Sequence, residues 1–187
     1  LLPESKEGGL AKSVVSRVRI AMLARMDPEL ATGFFIPLSN VASIGKTSGG
    51  IPFGFASGLA LAGTSPEMLR HMAFPPDILK ATDAETLNYL TMRYSVEQPL
   101  VRLLVGNNPG RMTALFELAD RRRDSLIDDI EHGTLSADLK LEPGLRHTLE
   151  KGLMPNPERA HVLRQMVAAR GRLEPRDFWP GLKLIAC

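Results

Sequence analysis

Five of the chain's sixteen glycines fall in one run, Gly45-Lys46-Thr47-Ser48-Gly49-Gly50-Ile51-Pro52-Phe53-Gly54-Phe55-Ala56-Ser57-Gly58. Glycine reaches backbone conformations closed to other residues and lets a partner approach the main chain closely. Beside Ser, Thr and a single lysine, such a run suits the wall of a substrate or nucleotide site. It equally suits a plain irregular crossover, because glycine clusters punctuate turns. One sharper chemistry is disfavoured. Gly45-Lys46-Thr47 has the ending of the phosphate loop Gly-x-x-x-x-Gly-Lys-Ser/Thr, but the position of its first glycine holds Asn40. Ser48-Gly49-Gly50 and Pro52 also argue against the helix that must follow.

The other reactive side chains are less organised. Asp128, Asp129, Glu131 and His132 crowd together, yet no second histidine stands at helical spacing from His132, so a charged surface is favoured over a metal site. His71, His147 and His161 are isolated, and Gly-x-Ser-x-Gly does not occur. Arg121-Arg122-Arg123 is flanked by Asp120 and Asp124 and has no interleaved aromatic for base stacking, so it reads as a solvated helix face. Neither nucleic acid nor membrane is expected as a partner. The net charge is only +2, and no apolar run approaches the length of a membrane span. The one cysteine, Cys187, allows no internal disulfide, which fits a cytoplasmic setting.

These residues need a scaffold, and 187 residues with 44% hydrophobic and 24% charged content suit one domain, or a large part of one, with a sizeable core. Leu10, Val14, Val15, Val18, Met22 and Met26 recur at helical spacing. Arg19 lies beside that stripe; its stem can cover core surface, or its guanidinium can face a site. Phe34 to Leu38 suits a strand that Pro37 confines to an edge or an end. Ser65-Pro66 opens a short helix. Asp77 to Ala81 reads as a short strand, and Thr82-x-x-Glu85 as a capping box opening a helix that Pro99 closes. Leu100 to Val105 is a nearly continuous apolar strand of the kind buried on both faces. Asn108-Pro109 starts a helix with a break expected near Asp120. Helices over 145–151, closed by Gly152, and from Asn156 to Gly171 follow. Trp179 is placed between the last helix and the sheet. Leu182 to Cys187 reads as a final strand. Strand, helix, strand, helix in this order predicts an α/β fold with parallel strands and crossover helices.

Several segments together resemble one family. Thr47-Ser48-Gly49-Gly50-Ile51-Pro52-Phe53-Gly54 is similar to its Thr-Pro-Gly-Gly-Ile-Pro-Tyr-Gly stretch. Asn107-Asn108-Pro109, Ile127-x-x-Ile130-x-x-Gly133-Thr134-Leu135 and Asn156-Pro157-Glu158-Arg159-Ala160 fit in order. Phe178-Trp179-Pro180-Gly181-Leu182-Lys183-Leu184-Ile185-Ala186 resembles its Leu-Trp-Pro-x-Leu-Lys-x-Ile. The chain thus resembles a bacterial member of the auxin-responsive acyl-acid amido synthetases, the Gretchen Hagen family of adenylate-forming ligases.

That resemblance implies ATP and Mg²⁺ as cofactors, and a small carboxylic acid and an amino acid as substrates. The carboxylate would be adenylated and the acyl group passed to the amine. It further implies that residues 1–187 are part of the N-terminal adenylation domain, truncated at both ends. The main nucleotide motifs and the rest of the same polypeptide would then lie outside, with no catalytic residue inside. By the same resemblance, Arg19, Thr86, Tyr89, Gly49, Gly50 and Pro52 line the acyl-acid site. Ser48 stands where the family has proline and Gly110 where it has serine. The residues themselves leave two alternatives open: a thioester-forming relative, and a non-catalytic α/β scaffold.

Overall fold

The computed structural model describes Gly8, Val14, Val18 and residues 21–23, 25–39, 45–55, 57, 58, 61 and 64–186. The chain divides into two compact units, Leu1–Gly33 and Phe34–Cys187. In the first, the described residues from Gly8 to Met26 are helical, as the apolar spacing predicts, with Val14, Val18, Met22 and Met26 exposed. Asp27 then caps a 3-10 turn, Pro28–Ala31, by accepting from the Glu29 amide at 3.0 Å.

The second unit is built on a parallel sheet. Strand β1 (Phe34–Pro37) is followed by a hairpin of β2 (Gly45–Lys46) and β3 (Pro52–Phe53), then by the short helix α1 (Pro66–Leu69). Helix α2 (Ala84–Glu97) leads into β4 (Val101–Val105). Helices α3 (Pro109–Arg121), α4 (Arg123–His132), α5 (Pro143–Glu150), α6 (Pro157–Arg170) and α7 (Pro175–Phe178) precede β5 (Leu184–Ala186). The sheet order is β1-β4-β5 and both pairings are parallel, with Ile36 opposite Leu104 and Leu104 opposite Ile185. Both connections step across the sheet in the same direction, and right-handed crossovers of that kind place their helices on one face. Burial agrees. Ile36 and Leu104, which share a face, are fully buried, whereas Phe35, Leu103 and Leu184 on the other face are half-buried and Val105 is exposed. Along β4, Val101 and Leu104 are buried, Arg102 and Leu103 half-buried and Val105 exposed, so the strand is not covered fully on both faces along its length.

The helix caps follow the sequence closely. Ser65 accepts from the Met68 amide at 3.3 Å, Asn108 from Arg111 at 3.2 Å and Asn156 from Arg159 at 3.1 Å, each followed by proline. Four details differ. Residues 76–80 form a 3-10 turn rather than a strand, because Pro76 fixes a helical φ and Ile78 is drawn into the core. The cap of α2 is Asp83, not Thr82; its carboxylate accepts from the Thr86 amide at 2.9 Å. Helix α5 starts at Pro143, ahead of its expected first turn. The break in the long helix falls at Arg122, where φ −105 and ψ 19 depart from helical values, rather than at Asp120.

Helix α2 is the hub. It is buried nearly all round, which its own residues do not advertise, since Arg93, Thr91 and Ser95 are among the buried. Arg93 is fully buried, donating through Nε to the Thr134 carbonyl, through Nη2 to the Asp129 carbonyl and through Nη1 to Glu97. Glu97 also accepts from Asn156 Nδ2 at 3.3 Å. Arg159 donates to the Val96 carbonyl from Nε and Nη2, and to the Phe178 carbonyl from Nη2. Trp179 packs edge-on to Phe116 and Phe178, and its Nε1 donates to the Ser95 carbonyl at 2.8 Å, so it seats on α2 and α3.

Candidate functional site

In open α/β sheets ligands bind outside the carboxyl ends of the strands. Here that edge gathers Ser39 beyond β1, the turn 106–108 beyond β4, and the first turn of α3. The pieces are close-packed: the Leu38 amide donates to the Val105 carbonyl at 2.7 Å, and the Gly106 amide to the Ala186 carbonyl at 2.9 Å. A side chain at Gly106 would put its Cβ 2.9 Å from Leu38 Cβ, so only glycine lets the strands close there. Arg111, one turn into α3, donates through Nη1 to the Ser39 carbonyl at 3.1 Å and through Nε to Asn88 Oδ1 at 3.3 Å. Burial lowers its pKa. Ser39 Oγ in turn donates to the Ser57 carbonyl at 3.4 Å.

Between Ser39 and Ser57 in the sequence lies most of the glycine run, of which residues 45–53 form the turn. It is a hairpin, β2 against β3, not an irregular loop. Thr47 closes it: its amide donates to the Ile51 carbonyl at 2.9 Å, and its Oγ1 accepts from the Ile51 amide at 3.1 Å. Gly50 has φ +80, a left-handed turn position that glycine takes without strain. Gly49 and Gly50 are exposed at the tip, as are Ile51, Phe53 and Phe55. The hairpin thus presents a turn closed by Thr47 with exposed apolar side chains beside it, an arrangement able to cover an apolar small molecule while its glycines leave the main chain accessible.

The residues nominated from the sequence fall in different places. Gly49 and Gly50 are on the hairpin, with the backbone of Pro52 in β3. Thr86 and Tyr89 are on the buried side of α2. Thr86 Oγ1 accepts from the Lys140 amide at 3.1 Å. The Tyr89 hydroxyl donates to Asp129 Oδ2 at 2.6 Å and lies 2.8 Å from Ser136 Oγ, and the Arg122 guanidinium sits 4.8 Å above its ring. Burial, with the Asp129 hydrogen bond, pushes the Tyr89 pKa up. Arg19 lies outside the described residues.

Ser39, Asn88 and Arg111 were not legible as a group. They come from three elements, and nothing in Asn108-Pro109-Gly110-Arg111 marks the arginine as anything but a helix residue. The acidic cluster resolves into separate roles. Asp128 and Glu131 both accept from Arg164, at 2.8 and 2.5 Å, beside a shallow concavity of about 200 Å³ between α4 and α6. Asp129 serves Tyr89, Thr134 and Ser136. Among the described residues no three His, Cys, Asp or Glu are grouped to hold a metal ion. A larger cleft of about 300 Å³ lies beside the last turn of α2, where the chain approaches the start of β4, and is bordered by Phe74, Tyr94, Gln98 and Leu149. None of the nominated residues lines it. Among the described residues no helix is long and apolar enough to cross a membrane.

Comparison with known proteins adds the following. A family profile described as "GH3 family N-terminal domain" matches residues 1–187. A solved structure of a "GH3.15 acyl acid amido synthetase" superposes with a TM-score of 0.66 at 20% identity, covering 94% of this chain and 32% of that one. A second, "AtGH3.15 acyl acid amido synthetase in complex with 2,4-DB", gives 0.74 at 18% identity, covering 100% and 33%. The chain spans about a third of the length of these structures, and at such identities the likeness establishes the fold. A search of curated proteins found no match.

Proposed function

Because the chain belongs to the GH3 family, we propose that it supplies the acyl-acid-facing part of an ATP-dependent ligase that joins a small carboxylic acid to an amino acid. The observation that carries this reading is the glycine hairpin that follows β1 of the parallel sheet along the chain, matching the family's Gly-Gly-Ile-Pro stretch and backed by the fold of two acyl acid amido synthetases.

In the proposed reaction a carboxylate oxygen attacks the α-phosphorus of ATP and pyrophosphate leaves. The amine then attacks the acyl carbon, AMP leaves with the bonding electrons, and the ammonium proton passes to solvent. This chain's part is to hold the acid. Arg19 is proposed to pair with its carboxylate, since a guanidinium can donate two parallel hydrogen bonds. Gly49, Gly50 and Pro52 form a wall. Thr86 and Tyr89 are proposed to line the acid's pocket from α2, with their polar atoms engaged by Lys140, Asp129 and Ser136. ATP enters as a substrate held by other parts of the polypeptide. Among the described residues no group of His, Cys, Asp or Glu suits Mg²⁺, and its ligands are proposed to lie with the nucleotide motifs elsewhere in the polypeptide. A cytoplasmic setting is proposed with the reaction, consistent with the single cysteine.

The test is carboxylate-dependent exchange of labelled pyrophosphate into ATP by the natural polypeptide containing this chain, across a panel of small acids. Exchange that needs an acid, with AMP and amide formed on adding an amino acid, supports the reading. Exchange that yields product only with a thiol acceptor would make it a thioester-forming ligase. No exchange with any acid refutes the ligase reading.

A further inference from the structure

The hairpin that the proposed function uses is anchored by residues that the family resemblance does not nominate. The hairpin lies in the sequence between Ser39 and Ser57. Ser39 is the node at its base. Its hydroxyl donates to the Ser57 carbonyl at 3.4 Å, tying the outgoing and returning chain together. Its own carbonyl is held from the other side by Arg111 Nη1 at 3.1 Å, while Arg111 Nε reaches Asn88 Oδ1 on α2 at 3.3 Å. A guanidinium suits this task, because its rigid plane fixes the angle between two donated hydrogen bonds, which a lysine ammonium on a flexible stem cannot do. Arg111 itself is placed by the Asn108 cap, which accepts from the Arg111 amide at 3.2 Å. The start of α3, helix α2 and the exit of β1 are therefore joined at one side chain.

We infer that Arg111 is a positioning residue for the glycine hairpin: through Ser39 and its tie to Ser57 it holds the two ends of the stretch that carries the hairpin, and so sets how well the acid is held. This inference rests on the proposed function for its kinetic readout but has a second readout that does not. A small displacement at the base of a binding wall weakens substrate positioning out of proportion to stability.

The experiment compares Arg111→Met, Arg111→Lys and Asn88→Ala in the natural polypeptide. Arg111→Met should raise the KM for the carboxylic acid at least fivefold and leave the KM for ATP within twofold. Arg111→Lys should recover only part of the loss, and Asn88→Ala should show the same acid-selective change at smaller size. In parallel, amide hydrogen exchange should quicken at least tenfold at Thr47, Gly50 and Ile51 and stay unchanged at Leu90 and Met92, the interior of α2. Acid KM unchanged in an active enzyme overturns the inference, whatever happens to the melting temperature. Equal losses for acid and ATP also overturn it, since they mark general destabilisation. If the unsubstituted enzyme shows no acid-dependent exchange, the proposed function fails and the hydrogen-exchange arm alone decides the positioning role. If Arg111→Met does not fold, Arg111→Lys and Asn88→Ala carry the same criteria.

Discussion

Two glycines end helices in the same backbone conformation, and their contrast gives a quantitative prediction. Gly133, after α4, has φ 67, and Gly171, after α6, has φ 71. Replacing either by alanine forces a Cβ into the left-handed region, which costs roughly 1–2 kcal/mol. The surroundings differ. A Cβ on Gly171 meets nothing within 4 Å. A Cβ on Gly133 would lie 2.6 Å from the Met154 carbonyl carbon and 2.7 Å from the Pro155 nitrogen, both backbone atoms that no rotamer change can move. Separating those segments also strains the hydrogen bond from the Asn156 amide to the Ile130 carbonyl at 2.9 Å. Forced overpacking of this kind costs about 1–3 kcal/mol. Gly171→Ala should therefore lose about 1–2 kcal/mol and Gly133→Ala about 2–5 kcal/mol. The backbone and unfolded-state contributions cancel in the difference, leaving the Met154–Pro155 contact. Urea unfolding followed by circular dichroism, with m-values checked for constancy, measures both. Asparagine, which tolerates the left-handed region, should recover most of the loss at 171 and little at 133. Equal losses at the two sites, within about 0.5 kcal/mol, would refute the close approach behind Gly133, taking that as the additivity error of such comparisons.

Three further outcomes are expected. Tyr89→Phe removes a buried donor to Asp129 and should cost about 1.5–3 kcal/mol, as for a hydrogen bond to a charged group; a selective rise in acid KM with an unchanged melting temperature would instead assign Tyr89 to substrate. The Asp83 carboxylate is held down at about 2, against 3.8 normally, chiefly by the Thr86 amide and then by Lys140. Between those values the unfolded chain binds more protons than the folded one, so stability falls as pH drops from about 4 towards 2. Asp83→Asn should flatten that part of the melting-temperature profile, and an identical profile in the variant would contradict it. Arg19→Lys in the natural polypeptide should weaken use of the acid by about tenfold to a hundredfold, the equivalent of roughly 1.5–3 kcal/mol for a charged hydrogen bond, with ATP kinetics unchanged. A lowered melting temperature with intact acid kinetics would make Arg19 structural.

Signals carried by adjacent residues were legible in the sequence. Ser65-Pro66, Asn108-Pro109 and Asn156-Pro157 each announce a helix start, because cap and first-turn chemistry are local. The order of strands and helices was enough to predict parallel pairing. What escaped was set by tertiary contact. Residues 76–80 carry β-compatible side chains, but Pro76 and the burial of Ile78 made a turn. Helix α2 has no sharp apolar stripe, since Arg93, Thr91 and Ser95 are buried through hydrogen bonds rather than hydrophobicity. At the candidate site the glycines were visible, while the clamp of Ser39, Asn88 and Arg111 was not. Its members are 23 to 72 residues apart along the hydrogen bonds that join them.

The last turn of α2 carries a consequence for the order of events in folding. The final carbonyls of a helix have no partner inside it. For α2, the Val96 carbonyl is met by Arg159, 63 residues later, and the Ser95 carbonyl, which also accepts from the Gln98 amide at 3.1 Å, by Trp179, 84 residues later. Contacts that span such separations form late, because the intervening chain must first be closed into a loop. Helix α2 can therefore nucleate from its Asp83 cap and close its last turn through the Gln98 amide, but the Val96 carbonyl gains its protein partner only when α6 docks. The hub of the unit is finished by its last quarter, so its assembly is a single cooperative step rather than growth outward from a stable central helix.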